Sequence, residues 1–122
     1  LWGDPNGEPF RVTVALLDTF NSEAPRIGAA RALVLVFPRQ KELDALVDDD
    51  DRYWQPLLDE LERRAIPFID LADALSGPYA AARVEAGAPP LYVGGHLSEE
   101  GNRIVAEQML EWLRAVPGAS GR

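Results

Sequence analysis

An α/β layer fold with a small parallel sheet is the class this sequence predicts, and two apolar runs with a helix between them predict it. Ala32-Leu33-Val34-Leu35-Val36-Phe37 is continuous and closed by Pro38, the pattern of a strand buried on both faces of a parallel sheet. Pro67-Phe68-Ile69-Asp70-Leu71 reads as a second short buried strand. Between them Trp54, Leu57, Leu58, Leu61 and Ala65 recur at helical spacing. Pro56 lies in the first turn of that helix, where its missing N–H costs little. Strand, helix and strand in that order imply a right-handed crossover and a parallel pair.

The other elements follow in chain order. Residues 1–9, punctuated by Gly3, Pro5, Gly7 and Pro9, are expected to be extended or looped. Leu16, Leu17, Phe20, Ala24 and Ile27 then predict a helix with its apolar stripe facing a core, broken near Asn21-Ser22 ahead of Pro25. The alternating Val12-Thr13-Val14 supports a strand as the rival reading. A polar, acidic connection follows the first strand. Residues 72–90, rich in Ala, Gly and Pro, read as a short helical piece and a long surface loop leading to Leu91-Tyr92-Val93. The last helix is the clearest: Ser98 is its N-cap, and Glu99 and Glu100 suit the positive end of the helix dipole. Val105, Met109, Trp112 and Val116, with Ala106, Leu110 and Leu113, give it a broad apolar face. Pro117-Gly118 stops it, and residues 117–122 form a flexible tail.

At 122 residues and 47% apolar composition, the chain suits one small domain with a modest core. A net charge of −8 argues against a nucleic-acid or anionic-membrane partner, and no stretch is long and apolar enough for a transmembrane segment. The absence of cysteine excludes disulfides, thiolate metal sites and a cysteine nucleophile. Asp48-Asp49-Asp50-Asp51 lacks the interleaved glycine and distal glutamate of a calcium loop and reads as a solvated loop, so no metal and no cofactor are assigned. Leu1-Trp2-Gly3-Asp4-Pro5 looks like neither a signal peptide nor a native start, which predicts a chain that begins inside a longer gene product. Two strands are also few for a sheet covered on both faces. Pairing with a missing N-terminal half, or self-association, is expected to complete it.

The chemistry centres on His96, the only histidine, placed just ahead of a helix start. There the macrodipole disfavours imidazolium, so the ring is suited to accept a proton as the general base beside a serine hydroxyl. The plainer alternative is a polar loop residue satisfied by a backbone carbonyl.

The segment Tyr92-Val93-Gly94-Gly95-His96-Leu97-Ser98-Glu99-Glu100-Gly101-Asn102, continuing through Val105-Ala106-Glu107 to Trp112, resembles the C-terminal block of the SGNH (GDSL-type) hydrolases. The order of elements from residue 10 to 116 is similar at the level of pattern; the His96 block is the one sharp motif. The resemblance implies a flavodoxin-like three-layer fold, of which this chain is a single domain or the C-terminal half. It implies a serine esterase, lipase or acyltransferase acting on a small-molecule, glycan or lipid ester, with His96 as the base that activates the serine.

The family's acid stands two or three residues before its histidine, where this chain has Gly94 and Val93. A backbone carbonyl, or Asp70 or Asp73, is left to orient the imidazole. No Gly-Asp-Ser occurs. Ser98 reads as an N-cap, Ser22 and Ser76 as turn or cap residues and Ser120 as tail, while Gly3-Asp4-Pro5-Asn6 reads as a turn. The isolated chain is therefore expected to be inactive. A non-catalytic SGNH-like module binding a glycan or protein partner is the alternative, and a small structural α/β protein a third.

Overall fold

Helices dominate the secondary structure. The computed structural model describes residues 3–29 and 31–115, which in chain order form α1 (Glu8–Glu23), a 3-10 turn (Pro25–Ile27), β1 (Val34–Val36), α2 (Gln40–Asp49), α3 (Gln55–Arg63), β2 (Phe68–Asp70), α4 (Ala72–Val84), β3 (Tyr92–Val93), β4 (His96–Leu97) and α5 (Glu99–Ala115). Two units emerge, one comprising Leu1–Val36 and Asp51–Asp70, the other Phe37–Asp50 and Leu71–Arg122.

In the first unit β1 and β2 pair in parallel, with Val34 opposite Phe68, Leu35 opposite Ile69 and Val36 opposite Asp70. This is the small parallel α/β sheet the two apolar runs predict. Its residues are half-buried apart from Asp70, so the expectation of strands buried on both faces is corrected. Strand alternation explains the choice of face: Val34, Val36 and Phe68 pack on a core of Phe10, Val14, Leu57, Leu61 and Ile66.

The start of the chain departs from expectation. Asp4 to Gly7 form a turn closed by the Gly7 N–H on the Asp4 carbonyl at 3.0 Å, and α1 begins at Glu8 with Pro9 in its first turn. Residues 8 and 9 are thus helical rather than extended, because proline is well accommodated at a helix start. Val12-Thr13-Val14 is helical too, and α1 runs past Asn21-Ser22 to Glu23. The buried α1 residues are Phe10 and Val14; of the expected stripe, Ala24 is buried just past the helix and Leu17 half-buried, while Leu16, Phe20 and Ile27 are exposed. Both stripes repeat at helical spacing; packing against α3 selects the one with Phe10, Val14 and the half-buried Leu17.

Helix α3 matches its prediction, with Trp54 as N-cap, Pro56 in the first turn and Leu57, Leu58 and Leu61 buried. Ala65 lies beyond it, at φ +54°. The N–H groups of Ala65 and Ile66 return to the carbonyls of Glu62 and Leu61 at 3.0 and 2.9 Å, a Schellman closure with alanine where glycine is usual. Arg64 ties α3 to α1 through Asp18 at 2.9 Å.

In the second unit the expected acidic connection is mostly helix α2, held by contacts outside its own sequence. Tyr79 on α4 donates to Asp44 at 2.6 Å, and Arg83 forks onto Asp48 at 2.9 and 3.2 Å. The acidic run is therefore the end of a helix, with Asp50 in the left-handed capping position, rather than a loop throughout. Helix α4 extends to Val84 through Pro78, longer than the short piece expected. Buried Leu75 and Tyr79 supply the packing that offsets the hydrogen bond Pro78 cannot make. On α5, Gly101, Ile104 and Val105 are buried, whereas Met109, Leu110 and Leu113 of the predicted apolar face are exposed. Val116, the stop at Pro117-Gly118 and the expected tail lie outside the described residues.

Candidate functional site

The candidate site is built on a tight hairpin. Tyr92 pairs with Leu97 and Val93 with His96, and the two linking residues, Gly94 and Gly95, have φ of +58° and +81°. Positive φ at both central positions is the type I′ geometry that suits the right-handed twist of a two-stranded ribbon, and glycine adopts it without a Cβ clash. His96 thus stands on a strand, two residues before the Ser98 cap, rather than in a loop.

Helix α5 fixes the hairpin from the other side. The Ser98 Oγ accepts the Gly101 N–H at 3.2 Å, the N-cap bond the sequence predicts. The Ser98 N–H donates to the Leu91 carbonyl at 2.8 Å, and the Asn102 side-chain amide donates to the Leu97 carbonyl at 3.3 Å. His96 is in this way held between a turn and a helix cap.

Beside the hairpin lies a cleft of about 400 Å³ lined by His96, Gly95, Leu97, Tyr92 and Asn102, together with Phe37, Pro38 and Arg39. The Tyr92 hydroxyl donates to the Pro38 carbonyl at 2.5 Å, fastening the two walls. Burial, with the Glu42 carboxylate nearby, pushes the Tyr92 phenol up to about 12, so it remains a donor across the physiological range. Arg39 lies across the Glu42 carboxylate, with Nε on Oε2 at 3.1 Å and Nη2 on Oε1 at 2.7 Å, and its backbone N–H also meets Oε2 at 2.8 Å. The Arg39 side chain is itself 66% exposed, so the pair engages one edge of the guanidinium at the surface.

The His96 ring is exposed and makes no hydrogen bond among the described residues. The alternative of an imidazole satisfied by a backbone carbonyl is therefore corrected: the strand holds the ring out towards solvent. Neither Val93 nor Gly94 offers a carboxylate, and Asp70, buried at the end of β2, accepts from Arg52 and from the Trp54 indole at 3.1 Å. The Ser22 hydroxyl donates to the Asp18 carbonyl at 3.0 Å and Ser98 caps α5. No described serine is hydrogen-bonded to His96. Among the described residues no group of three His, Asp or Glu side chains is placed to hold a metal ion, and no helix is long and apolar enough to cross a membrane.

Phe37, Arg39, Tyr92 and Asn102 were not separable from structural residues by pattern alone. The nearest signal was position: Phe37 and Pro38 directly follow β1, and Tyr92 and Asn102 flank the histidine block. Comparison with protein-family models, with characterised proteins and with solved structures finds no match to this chain.

Proposed function

We propose that these residues are the histidine-bearing part of an SGNH-type serine ester hydrolase, with His96 as general base. The observation that carries the reading is the exposed, unbonded imidazole of the only histidine at the edge of a cleft, set by a glycine turn and the Ser98 cap. An imidazole so placed has a nitrogen lone pair available for a hydroxyl proton. A serine Oγ would attack the ester carbonyl as His96 takes its proton. The ring would return that proton to the departing alcohol, and water would release the acyl group by the same exchange.

The nucleophile is assigned to a segment outside this chain, because none of the described serines, Ser22, Ser76 and Ser98, is hydrogen-bonded to the histidine. The parallel β1–β2 pair is then part of a larger, flavodoxin-like sheet completed by that segment. Labelling of the full-length protein by a serine-reactive phosphonate tests this, with His96→Ala as control. Labelling that depends on His96 is expected.

One observation favours a second reading, a non-catalytic module that binds a glycan or protein partner. The positions that should carry the orienting acid hold Val93 and Gly94, and no described carboxylate bonds the ring. A folded full-length protein that resists the phosphonate decides for that reading.

A further inference from the structure

We infer that the cleft beside His96 selects an uncharged, apolar group, with Phe37 and Leu97 as its specificity-determining contacts, and excludes carboxylate-bearing analogues. The inference deepens the hydrolase reading and rests on it only for the occupant's being an ester.

The argument is one of polar groups already spent. Among the described residues lining the cleft Arg39 is the one arginine or lysine, and its guanidinium, on a side chain 66% exposed, lies on both oxygens of the buried Glu42. An incoming carboxylate would meet a cation whose charge Glu42 already neutralises, on a guanidinium exposed to solvent. A shared, solvent-screened attraction of that kind contributes little against the carboxylate's own hydration. The Tyr92 hydroxyl is spent on the Pro38 carbonyl. Hydrogen-bonding capacity remains on the His96 ring and on the Asn102 amide, which uses one N–H on Leu97. Two neutral groups of that kind suit an ester carbonyl or alkoxy oxygen, not a full charge. The apolar surface is concentrated on Phe37, 52% exposed, and the half-buried Leu97. The volume of about 400 Å³ is in the range of small-molecule sites. The overall charge of −8 adds a repulsive background for anions.

The His96 imidazole Hε1 resonance is the reporter, assigned in the full-length protein by its loss in His96→Ala. The full-length protein is titrated with N-benzylacetamide, an uncharged amide surrogate of an ester, and with 4-(acetamidomethyl)benzoate, which differs by one carboxylate. The expected result is a saturable shift of the His96 resonance with the neutral probe and at least about tenfold weaker binding of the anion. Phe37→Ala should weaken the neutral probe about 2- to 10-fold, the scale of one aromatic contact. Equal or tighter binding of the anion, abolished in Arg39→Gln, overturns the inference. So does the absence of a saturable shift with the neutral probe, or a Phe37→Ala variant that binds it unchanged. Because this readout involves neither serine nor turnover, its failure is separable from a failure of phosphonate labelling: binding without labelling removes the catalytic reading and leaves the pocket, and labelling without binding does the reverse.

Discussion

The Leu91 carbonyl accepts the Ser98 N–H at 2.8 Å, and the same oxygen lies only 2.8 Å from where a Cβ on Gly101 would stand. One carbonyl therefore anchors the hairpin that carries His96 and sets how closely α5 approaches it. The Leu97 Cδ2 lies at 2.8 Å from that same point, but a side-chain methyl can turn away and a hydrogen-bonded carbonyl cannot.

Gly101→Ala should accordingly destabilise the protein despite the gain of about 1 kcal/mol that alanine brings to a helix over glycine. Overpacking against fixed backbone costs about 1–3 kcal/mol, which outweighs it. Urea unfolding is expected to show a lower midpoint with an unchanged slope. The His96 resonance should move as well, since the hairpin must shift to admit the methyl group. A stabilised Gly101→Ala variant with an unmoved His96 signal would contradict this account of the anchor.

Ser98 is a cap and not a nucleophile, and the two roles predict opposite outcomes. Ser98→Ala should cost about 1 kcal/mol by leaving the Gly101 N–H unmet, and Ser98→Asp should recover most of it. In the full-length protein, phosphonate labelling is expected to persist in Ser98→Ala. Loss of labelling in a folded Ser98→Ala protein would transfer the nucleophile to this residue.

What the sequence makes legible is what local chemistry decides. Proline closes Phe37 and opens α3, Ser98 caps α5, and the Val34–Val36 and Phe68–Asp70 runs pair in parallel because their apolar, extended residues have no other place to go. What it conceals depends on partners distant in the chain. Helix α2 has an acidic, weakly apolar sequence, and its ties to α4 run through Tyr79–Asp44 and Arg83–Asp48, each 35 residues apart. Helix α1 carries two apolar stripes of equal period, and only packing on α3 tells Phe10 and Val14 from Leu16 and Phe20. The histidine block was visible as a motif. The cleft was not, since Phe37 and Arg39 reach it from residues far from His96 in sequence.

Among the described residues Asp50 and Ala65 hold left-handed backbone without being glycine, and of the two only the aspartate has a short polar side chain that tolerates it. An L-residue at φ +54° carries a steric cost of roughly 1–2 kcal/mol, which glycine avoids while losing somewhat more backbone entropy on folding. Ala65→Gly is therefore expected to stabilise the protein by up to about 1 kcal/mol, read as a raised urea midpoint. Ala65→Val, β-branched in the same conformation, should lower it. The opposite order would mean that the Leu61–Ile66 closure of α3 does not depend on the left-handed residue between them.

The Tyr92–Pro38 bond predicts a pH dependence with a defined direction. Burial raises the phenol from its ordinary value of 10 to about 12, so the folded protein holds this proton more tightly than the unfolded chain does. The resulting stabilisation is complete below about pH 10 and is lost as pH rises through about 12. Tyr92→Phe keeps the ring and its edge-on contact with Tyr79 at 6.1 Å but removes the hydroxyl, leaving the Pro38 carbonyl without this donor. Near pH 7 the variant should be less stable by about 1 kcal/mol, the usual net worth of such a bond. The gap between the two proteins should narrow as pH climbs from about 10 towards 12, because ionisation takes the donor from the wild type as well. Urea unfolding at pH 7 and at steps above pH 10 measures it. A gap that stays constant, or widens, would mean that Tyr92 acts through its ring alone and that the cleft wall at Pro38 is held by something other than this hydrogen bond.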